Sequence, residues 1–387
     1  MAARYQRIPY GIFFKEPAGF KDTYAGAENS VFLEAHRLVP ESASKTVILF
    51  THPIGGGAYL PMVTALAAAG HHVIYANTRY RGNDSALIME KCVVDLGAAV
   101  SHARRELGYE RVILGGWSGG GSLSLFYQAE AENPRLTSTP AGDPPDLTQA
   151  GLEPADAVLL LSSHVSRAVT LTEWLDASIV DEERPFDRDP ELNLYDRANP
   201  NQPPYSEDFL ARYATAQIER NRRITRWVRG CLDELRSSGK SDHERGFTTH
   251  GTMAAPCWLD PAVDPNQRKP GWCYLGDPEV VNDGPVGLAR FATLRSWLSQ
   301  WSYDESRGDG VECAGRISVP VLVIGNLADD ACPPSHARRL YAAVADERKK
   351  LVEIEGATHY YFGQRDKMAE AIAACEQFLE EHGLIDR

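Results

Sequence analysis

Residues 115–122 read GGWSGGGS, and this stretch decides which kind of site the chain carries. It follows the apolar run RVILG at 111–115 and precedes SLSLFYQAEAE at 122–132, which favours a helix. A dinucleotide-binding loop needs glycines spaced GxGxxG, and a phosphate-binding P-loop needs a lysine after its last glycine. Ser124 stands where the third glycine of the first motif belongs, and Ser122 stands where that lysine belongs. The stretch therefore fits neither phosphate-binding motif.

The remaining interpretation is the pentapeptide GxSxG, which residues 116–120 match with Ser118 at the centre. A serine between the end of a strand and the start of a helix adopts an unfavourable backbone conformation that projects its hydroxyl. The residues two positions away on either side must be small because the turn brings their backbones together, and Gly116 and Gly120 are small. The sequence therefore predicts that Ser118 is a nucleophile.

A serine hydroxyl needs a base that takes its proton and an acid that orients the base. Asp329 and His359 each follow an apolar, strand-like run, and the order Ser, Asp, His is the one expected for a serine in such a turn. Asp330 is the alternative acid, but Asp329 has the usual offset of four residues before a proline, here Pro333. We expect Ser118, Asp329 and His359 to form a catalytic triad.

The glycine-rich segment THPIGGGAY at 51–59 lies where a second backbone donor for an oxyanion is expected. The first donor is predicted to be the N–H of Gly119, the residue after the nucleophile. Proline has no N–H, so Pro53 is excluded. Ile54 is the predicted second donor, and Gly55 is the alternative.

Strand-like and helix-like patterns alternate at both ends of the chain, which predicts a mostly parallel sheet with helices on both faces. Between residues 165 and 316 we find helical patterns without a buried strand. The predicted strands are 31–39, 45–53, 72–79, 111–118, 156–164, 319–326 and 350–356, with helices at 59–69, 88–107, 171–180, 206–237, 286–301, 335–344 and 366–382.

Five motifs, HPIGGG, NTRYRGND, GGWSGGG, GNLADDACPP and GATHYY, occur in the order typical of one family. In these motifs the chain resembles the α/β-hydrolase superfamily. The resemblance implies an α/β-hydrolase fold whose core comprises residues 1–164 and 317–387, with residues 165–316 forming a mainly helical cap. It also implies a Ser-His-Asp hydrolase that needs neither a metal nor another cofactor. Serine as nucleophile argues against the family's dehalogenase and epoxide hydrolase reactions, which use aspartate.

The predicted cap contains six of the seven tryptophans, a composition that suits a bulky apolar or aromatic substrate. Most of these side chains are expected to pack the cap itself. We predict that His52, Trp117, His164, Trp174 and Trp297 line the substrate pocket. The predicted activity is cleavage of a carboxylic ester through an acyl-enzyme. A thioester, lactone, amide or carbon-carbon substrate, or a non-catalytic binding protein on the same fold, are the alternatives.

Composition limits the partners of the chain. Its 387 residues are 43% hydrophobic and carry a formal net charge of −13, which disfavours nucleic acids and anionic membranes. The seven cysteines are scattered without CxxC spacing, and the N-terminal segment lacks the apolar stretch of a signal peptide. We therefore expect a cytoplasmic protein that binds a small molecule; whether it forms a homo-oligomer is left open.

Overall fold

The computed structural model describes residues 4–16, 23 and 30–385. Eight strands of this part of the chain form one sheet, and two short strands form a separate antiparallel pair. Numbered in chain order, the strands are β1 (Tyr5–Lys15), β2 (Ser30–Pro40), β3 (Thr46–Phe50), β4 (Val73–Ala76), β5 (Arg111–Ser118), β6 (Ala157–Ser163), β7 (Gly246–Thr248), β8 (Phe291–Thr293), β9 (Val321–Asn326) and β10 (Lys349–Ile354). The large sheet has the order β1-β2-β4-β3-β5-β6-β9-β10, and β7 pairs with β8.

The sheet is parallel from β4 to β10, while β2 runs antiparallel to both of its neighbours. Helices cover both faces. Along β3, Val47 and Leu49 pack into one core layer while Ile48 and Phe50 pack into the other. A strand buried on both faces needs apolar residues at every position, which explains continuous runs such as TVILF. The predicted mostly parallel sheet is confirmed.

Six helices of the described part of the chain flank the sheet. The helices α1 and α11 contribute to one core layer, and α2, α3, α9 and α10 contribute to the other. Their bounds are α1 (Pro61–Ala68), α2 (Met89–Arg105), α3 (Gly119–Glu132), α9 (Gly310–Ala314), α10 (Pro334–Ala343) and α11 (Arg365–Glu381). A single turn of 3₁₀-helix spans Leu147–Gln149.

The edge strand β1 was not predicted from the sequence. It pairs with β2 along its whole length, from Tyr5 opposite Pro40 to Lys15 opposite Ser30. Most of its side chains are exposed or partly exposed, and only Ile12 is buried. Because an edge strand need not be apolar on either face, its sequence lacks the pattern that marks the inner strands.

The chain between β6 and β9 contains further helices. These are α4 (Arg167–Trp174), α5 (Glu207–Ser237), α6 (Pro256–Leu259), α7 (Pro278–Asn282) and α8 (Leu294–Ser296), followed by a π-helical turn (Trp297–Trp301). The helix predicted at 206–237 is confirmed: Ser206 caps it by accepting from the Phe209 N–H, and Glu207 and Asp208 occupy its first turn. That residues 165–316 form a separate cap domain stays a prediction.

Two helices predicted in the insertion, the segment between β6 and β9, are wrong as stated. The one predicted at 171–180 ends at Trp174, because the backbone becomes extended at Leu175. The one predicted at 286–301 begins only at Leu294, after the strand β8. Within the described residues, no helix combines the length and the apolar composition needed to cross a bilayer.

Candidate active site

Ser118 is the last residue of β5 and immediately precedes α3. Its backbone has φ 51° and ψ −125°, a conformation that costs a non-glycine residue about 1–3 kcal/mol. The glycines on either side are required by contact: a Cβ on Gly116 would lie 2.5 Å from the Gly121 Cα, and one on Gly120 would lie closer than 3.0 Å to the Thr51 carbonyl oxygen. The strained serine turn predicted from GxSxG is therefore present.

His359 and Asp329 form a buried pair beyond the ends of two neighbouring strands. The Nδ1 atom of His359 lies 2.9 Å from Oδ2 of Asp329. The other oxygen of Asp329 accepts the N–H groups of Ala331 at 2.8 Å and Cys332 at 2.7 Å. An ionised carboxylate only accepts, so Nδ1 carries the proton, and Nε2 of a neutral His359 is left as the proton acceptor. The pair has the geometry of an oriented general base.

Asp330, the alternative acid, lies outside this pair. Burial and the neighbouring charge of Asp329 raise the pKa of its carboxyl group, which the His359 charge partly opposes. Its backbone carbonyl accepts the N–H of Tyr274 at 3.2 Å. The hydrogen bond to His359 is made by Asp329, so the geometry favours Asp329 as the orienting acid.

Cys332 was not singled out from the sequence, yet its Sγ lies 4.0 Å from Oγ of Ser118. Ligand atoms of Asp329, Cys332 and His359 all lie within 4.8 Å of one another, which brings the serine and the acid-base pair together around this sulfur. Among the described residues, the Ser118 hydroxyl makes no hydrogen bond to His359. Such bonds are often long in an unliganded site and tighten with substrate.

Asp329, Cys332 and His359 are also the kind of side chains that ligate metals. Their bonding favours a hydrogen-bonded set instead. Both oxygens of Asp329 already have partners. Burial, and then the Asp329 charge, raises the pKa of the Cys332 thiol well above its usual range. A protonated thiol is a poor nucleophile, so this environment does not activate Cys332.

The two predicted sources of oxyanion donors differ in availability. Gly119 is the first residue of α3, and N–H groups of a helix's first turn have no acceptor within the helix. In the 51–59 segment, the N–H of Ile54 lies 3.3 Å from Nδ1 of His52. The N–H of Gly55 donates to the His52 carbonyl at 2.8 Å. The N–H of Ile54, the predicted donor, therefore already has an acceptor, and that of Gly55, the alternative donor, closes a backbone turn.

Trp117 packs beside the Asp329–His359 pair. Its ring centroid is 4.5 Å from that of His359 and 5.1 Å from that of Tyr360. Its Nε1 donates to the His359 backbone carbonyl at 3.3 Å. Trp117 therefore holds the histidine loop against the turn that carries Ser118.

The other predicted pocket residues lie in different surroundings. Nε2 of His52 and Nε2 of His164 lie 2.9 Å and 3.2 Å from the point that a Cβ on Gly119 would occupy, so both imidazoles lie close to Gly119. Trp297 as a pocket residue is wrong: its ring is fully buried in the insertion's own core, and its Nε1 donates to Thr225 at 2.9 Å. A helix-face pattern fits a core residue as well as a pocket residue, so the sequence did not distinguish them.

Trp174 lies in a small aromatic cluster of the insertion. Its ring centroid is 4.9 Å from that of Trp258 and 5.8 Å from that of Tyr274. Tyr274 donates its backbone N–H to the Asp330 carbonyl, so this cluster contacts the loop that carries Asp329. A neighbouring contact is made by Asn266, whose side-chain amide donates to the Asp329 carbonyl at 3.2 Å. The insertion thus borders the site, and no local motif marks these contacts.

No protein-family model matches the chain, and no curated protein matches its sequence. Solved structures do resemble it. An α/β hydrolase from Penicillium sp. sh18, GrgF, matches with a TM-score of 0.53 at 12% identity, over 97% of this chain and 99% of that one. A thermostable carboxyl esterase from Bacillus coagulans, in complex with glycerol, matches with a TM-score of 0.50 at 12% identity, over 98% of this chain and 99% of that one.

Identities this low establish the fold alone. The parallel sheet, the serine at the turn between β5 and α3, and these two structures agree on one architecture. The chain has the α/β-hydrolase fold.

Proposed function

We propose that this protein is a serine hydrolase that cleaves a carboxylic ester through an acyl-enzyme. The observation that carries the proposal is the strained backbone of Ser118 beside the buried Asp329–His359 pair. Strain in a non-glycine residue persists only where the surrounding structure enforces it, and such residues concentrate at functional sites. A hydroxyl projected from such a turn beside an oriented histidine is the arrangement that nucleophilic catalysis requires.

The proposed reaction begins when Oγ of Ser118 attacks the ester carbonyl and His359 Nε2 takes the serine proton. Asp329 keeps the imidazole in the required tautomer and stabilises the imidazolium that forms. The N–H of Gly119 stabilises the oxyanion together with a second donor from the 51–59 segment. His359 then returns the proton to the departing alcohol, and water releases the acid by the same steps.

The proposed substrate carries a bulky apolar or aromatic group. This part of the proposal is supported by aromatic side chains on several sides of the triad. Trp117 and Tyr360 pack beside His359, and the Tyr274 ring packs on Trp174 while its backbone N–H donates to the Asp330 carbonyl. Rings of this kind offer large apolar surfaces to a ligand with few rotatable bonds.

A fluorophosphonate probe tests the proposal, because it bonds covalently to an activated serine. We expect the wild-type protein to gain one probe mass at Ser118 and to hydrolyse p-nitrophenyl esters. Ser118→Ala is expected to abolish both, whereas Ser124→Ala, which removes a hydroxyl further along α3, is expected to preserve both. Labelling that persists in Ser118→Ala, or its unchanged ester turnover, would refute the proposal.

A panel of substrates separates the ester from its alternatives. Matched p-nitrophenyl acetate and benzoate, a thioester and an anilide would be compared by kcat/KM. We expect the aromatic ester to be the best of the four. Faster cleavage of the thioester or anilide would retain the serine mechanism but change the substrate class.

A further inference from the structure

The backbone that follows His52 offers no free N–H as the second donor to the oxyanion. Pro53 has no N–H, and the N–H of Gly55 closes a turn onto the His52 carbonyl at 2.8 Å. The N–H of Ile54 lies 3.3 Å from His52 Nδ1 and has that nitrogen as its acceptor. Each of the three backbone positions after His52 therefore lacks a free N–H.

We infer that the side chain of His52 supplies the missing donor, through its Nε2–H, to the oxyanion that forms on the ester carbonyl. This inference rests on the proposed serine hydrolase function, because it requires an oxyanion at Gly119. It assigns a catalytic role to a side chain at a position where this fold was expected to use a backbone N–H.

The tautomer of His52 follows from its contact with Ile54. A backbone N–H can only donate, so His52 Nδ1 must accept and cannot itself carry a proton. A neutral imidazole then carries its one proton on Nε2. Burial, and then the positive charge of Arg167, lowers the pKa of His52 to about 3, so the ring is neutral near pH 7. Nε2–H is therefore a donor throughout the neutral range.

The distance from His52 to Gly119 allows one oxygen to accept from both. Nε2 lies 2.9 Å from the point that a Cβ on Gly119 would occupy. That point is about 2.5 Å from the Gly119 nitrogen by standard bond lengths, so the two nitrogens are at most about 5.4 Å apart. An oxygen about 2.9 Å from each of two donors permits a separation of up to about 5.8 Å. The separation of the two nitrogens therefore lies within the range that one oxyanion can bridge.

His164 is the nearest competitor for this role. Its Nε2 lies 3.2 Å from the same point, but its Nδ1 is buried without a hydrogen-bond partner among the described residues. Nothing therefore fixes the proton of His164 on Nε2, whereas Ile54 fixes that of His52. His164 borders the same space, and His52 is the ring whose donor is defined.

Two substitutions of His52 each retain the function of one of its two ring nitrogens. In His52→Asn, the side-chain oxygen is placed to accept the Ile54 N–H as Nδ1 does, but the chain is too short to reach the position of Nε2. In His52→Gln, the longer chain can present an amide N–H near the position of Nε2. The pair therefore separates support of the loop from donation to the oxyanion.

The test compares kcat/KM for the best p-nitrophenyl ester in both variants, with the melting temperature as the check on folding. We expect His52→Asn to lose about 100-fold to 1000-fold, mostly in kcat, as loss of one oxyanion donor does. We expect His52→Gln to retain at least tenfold more activity than His52→Asn. Equal activities, or a more active His52→Asn variant, would overturn the inference and assign His52 to loop support.

Binding of a boronic acid, which forms a tetrahedral adduct on the serine, gives an independent reading. Its affinity is expected to fall in His52→Asn by a factor similar to the loss in kcat. An unchanged affinity would contradict donation to the oxyanion. If the wild-type protein is inactive or Ser118→Ala is active, the proposed function itself fails; if both behave as expected and only the His52 variants do not, the inference alone fails.

Discussion

Asp329 and Asp330 offer a matched pair of substitutions that tests the acid of the triad. In Asp329→Asn, one side-chain oxygen is retained, and the N–H groups of Ala331 and Cys332 favour its placement at the position of Oδ1. The new NH₂ group then replaces Oδ2, which lies 2.9 Å from His359 Nδ1. Because NH₂ donates, Nδ1 must become the acceptor and the imidazole proton moves to Nε2. The histidine is left in the tautomer that cannot accept the serine proton.

The expected loss is therefore large. The same change of tautomer in a serine protease lowers kcat by about 10⁴-fold, which corresponds to about 5.5 kcal/mol of transition-state stabilisation. Asp330→Asn should behave differently, because the hydrogen bond to His359 Nδ1 is made by Asp329 and not by Asp330. A neutral amide of similar shape replaces it, and we expect activity to change by about twofold or less.

The assay is kcat for p-nitrophenyl ester hydrolysis, measured at pH 7 on variants whose thermal unfolding has been checked. Asp329→Asn should remain folded because its two backbone N–H partners keep an oxygen acceptor. If Asp330→Asn is the more damaging variant, the acid must be moved by one position. If Asp329→Asn retains more than a tenth of the activity, the tautomer argument is wrong.

Two further predictions concern stability. Gly120→Ala is expected to lower the free energy of unfolding by about 1–3 kcal/mol and to reduce activity, since its Cβ would collide with the Thr51 carbonyl. The control is Gly230→Ala in α5, where a Cβ meets nothing within 4 Å. In a denaturant titration this variant should raise the free energy of unfolding by about 1 kcal/mol. Burial raises the pKa of Glu90 to about 7, although its carboxylate accepts a hydrogen bond from the Ser299 hydroxyl. Because the folded state holds this proton more tightly than the unfolded state, stability falls as pH rises from about 4.5 through 7. Glu90→Gln should therefore stabilise by up to about 3 kcal/mol at pH 8 and by much less at pH 5.

The features that the sequence predicted well are those imposed by the local backbone. The turn at Ser118 leaves no room for a side chain at Gly116 or Gly120, so the pentapeptide itself carries the constraint. The inner strands are buried on both faces, and their continuous apolar runs reflect this directly. Where no such constraint acts, as in the edge strand β1, the residues carry little indication of structure.

Side-chain environments set by distant segments were harder to predict. The helical spacing of Trp297 fits a pocket residue and a core residue equally well. Its contacts with α5, including the hydrogen bond to Thr225, make it a core residue. Trp117 reaches the histidine loop, and Tyr274 reaches the acid loop, across long separations in the chain. None of these partners is encoded near the residue itself.

The 51–59 segment combines both kinds of information. The sequence alone excludes Pro53 as a donor, since proline has no N–H. It does not reveal that Nδ1 of His52 takes the N–H of Ile54, because that contact depends on how the histidine ring is turned. Once the ring is placed, one contact removes the favoured backbone donor and puts a proton on the opposite nitrogen, which faces Gly119. His52, which accepts the Ile54 N–H, is therefore also the residue best placed to donate in its place.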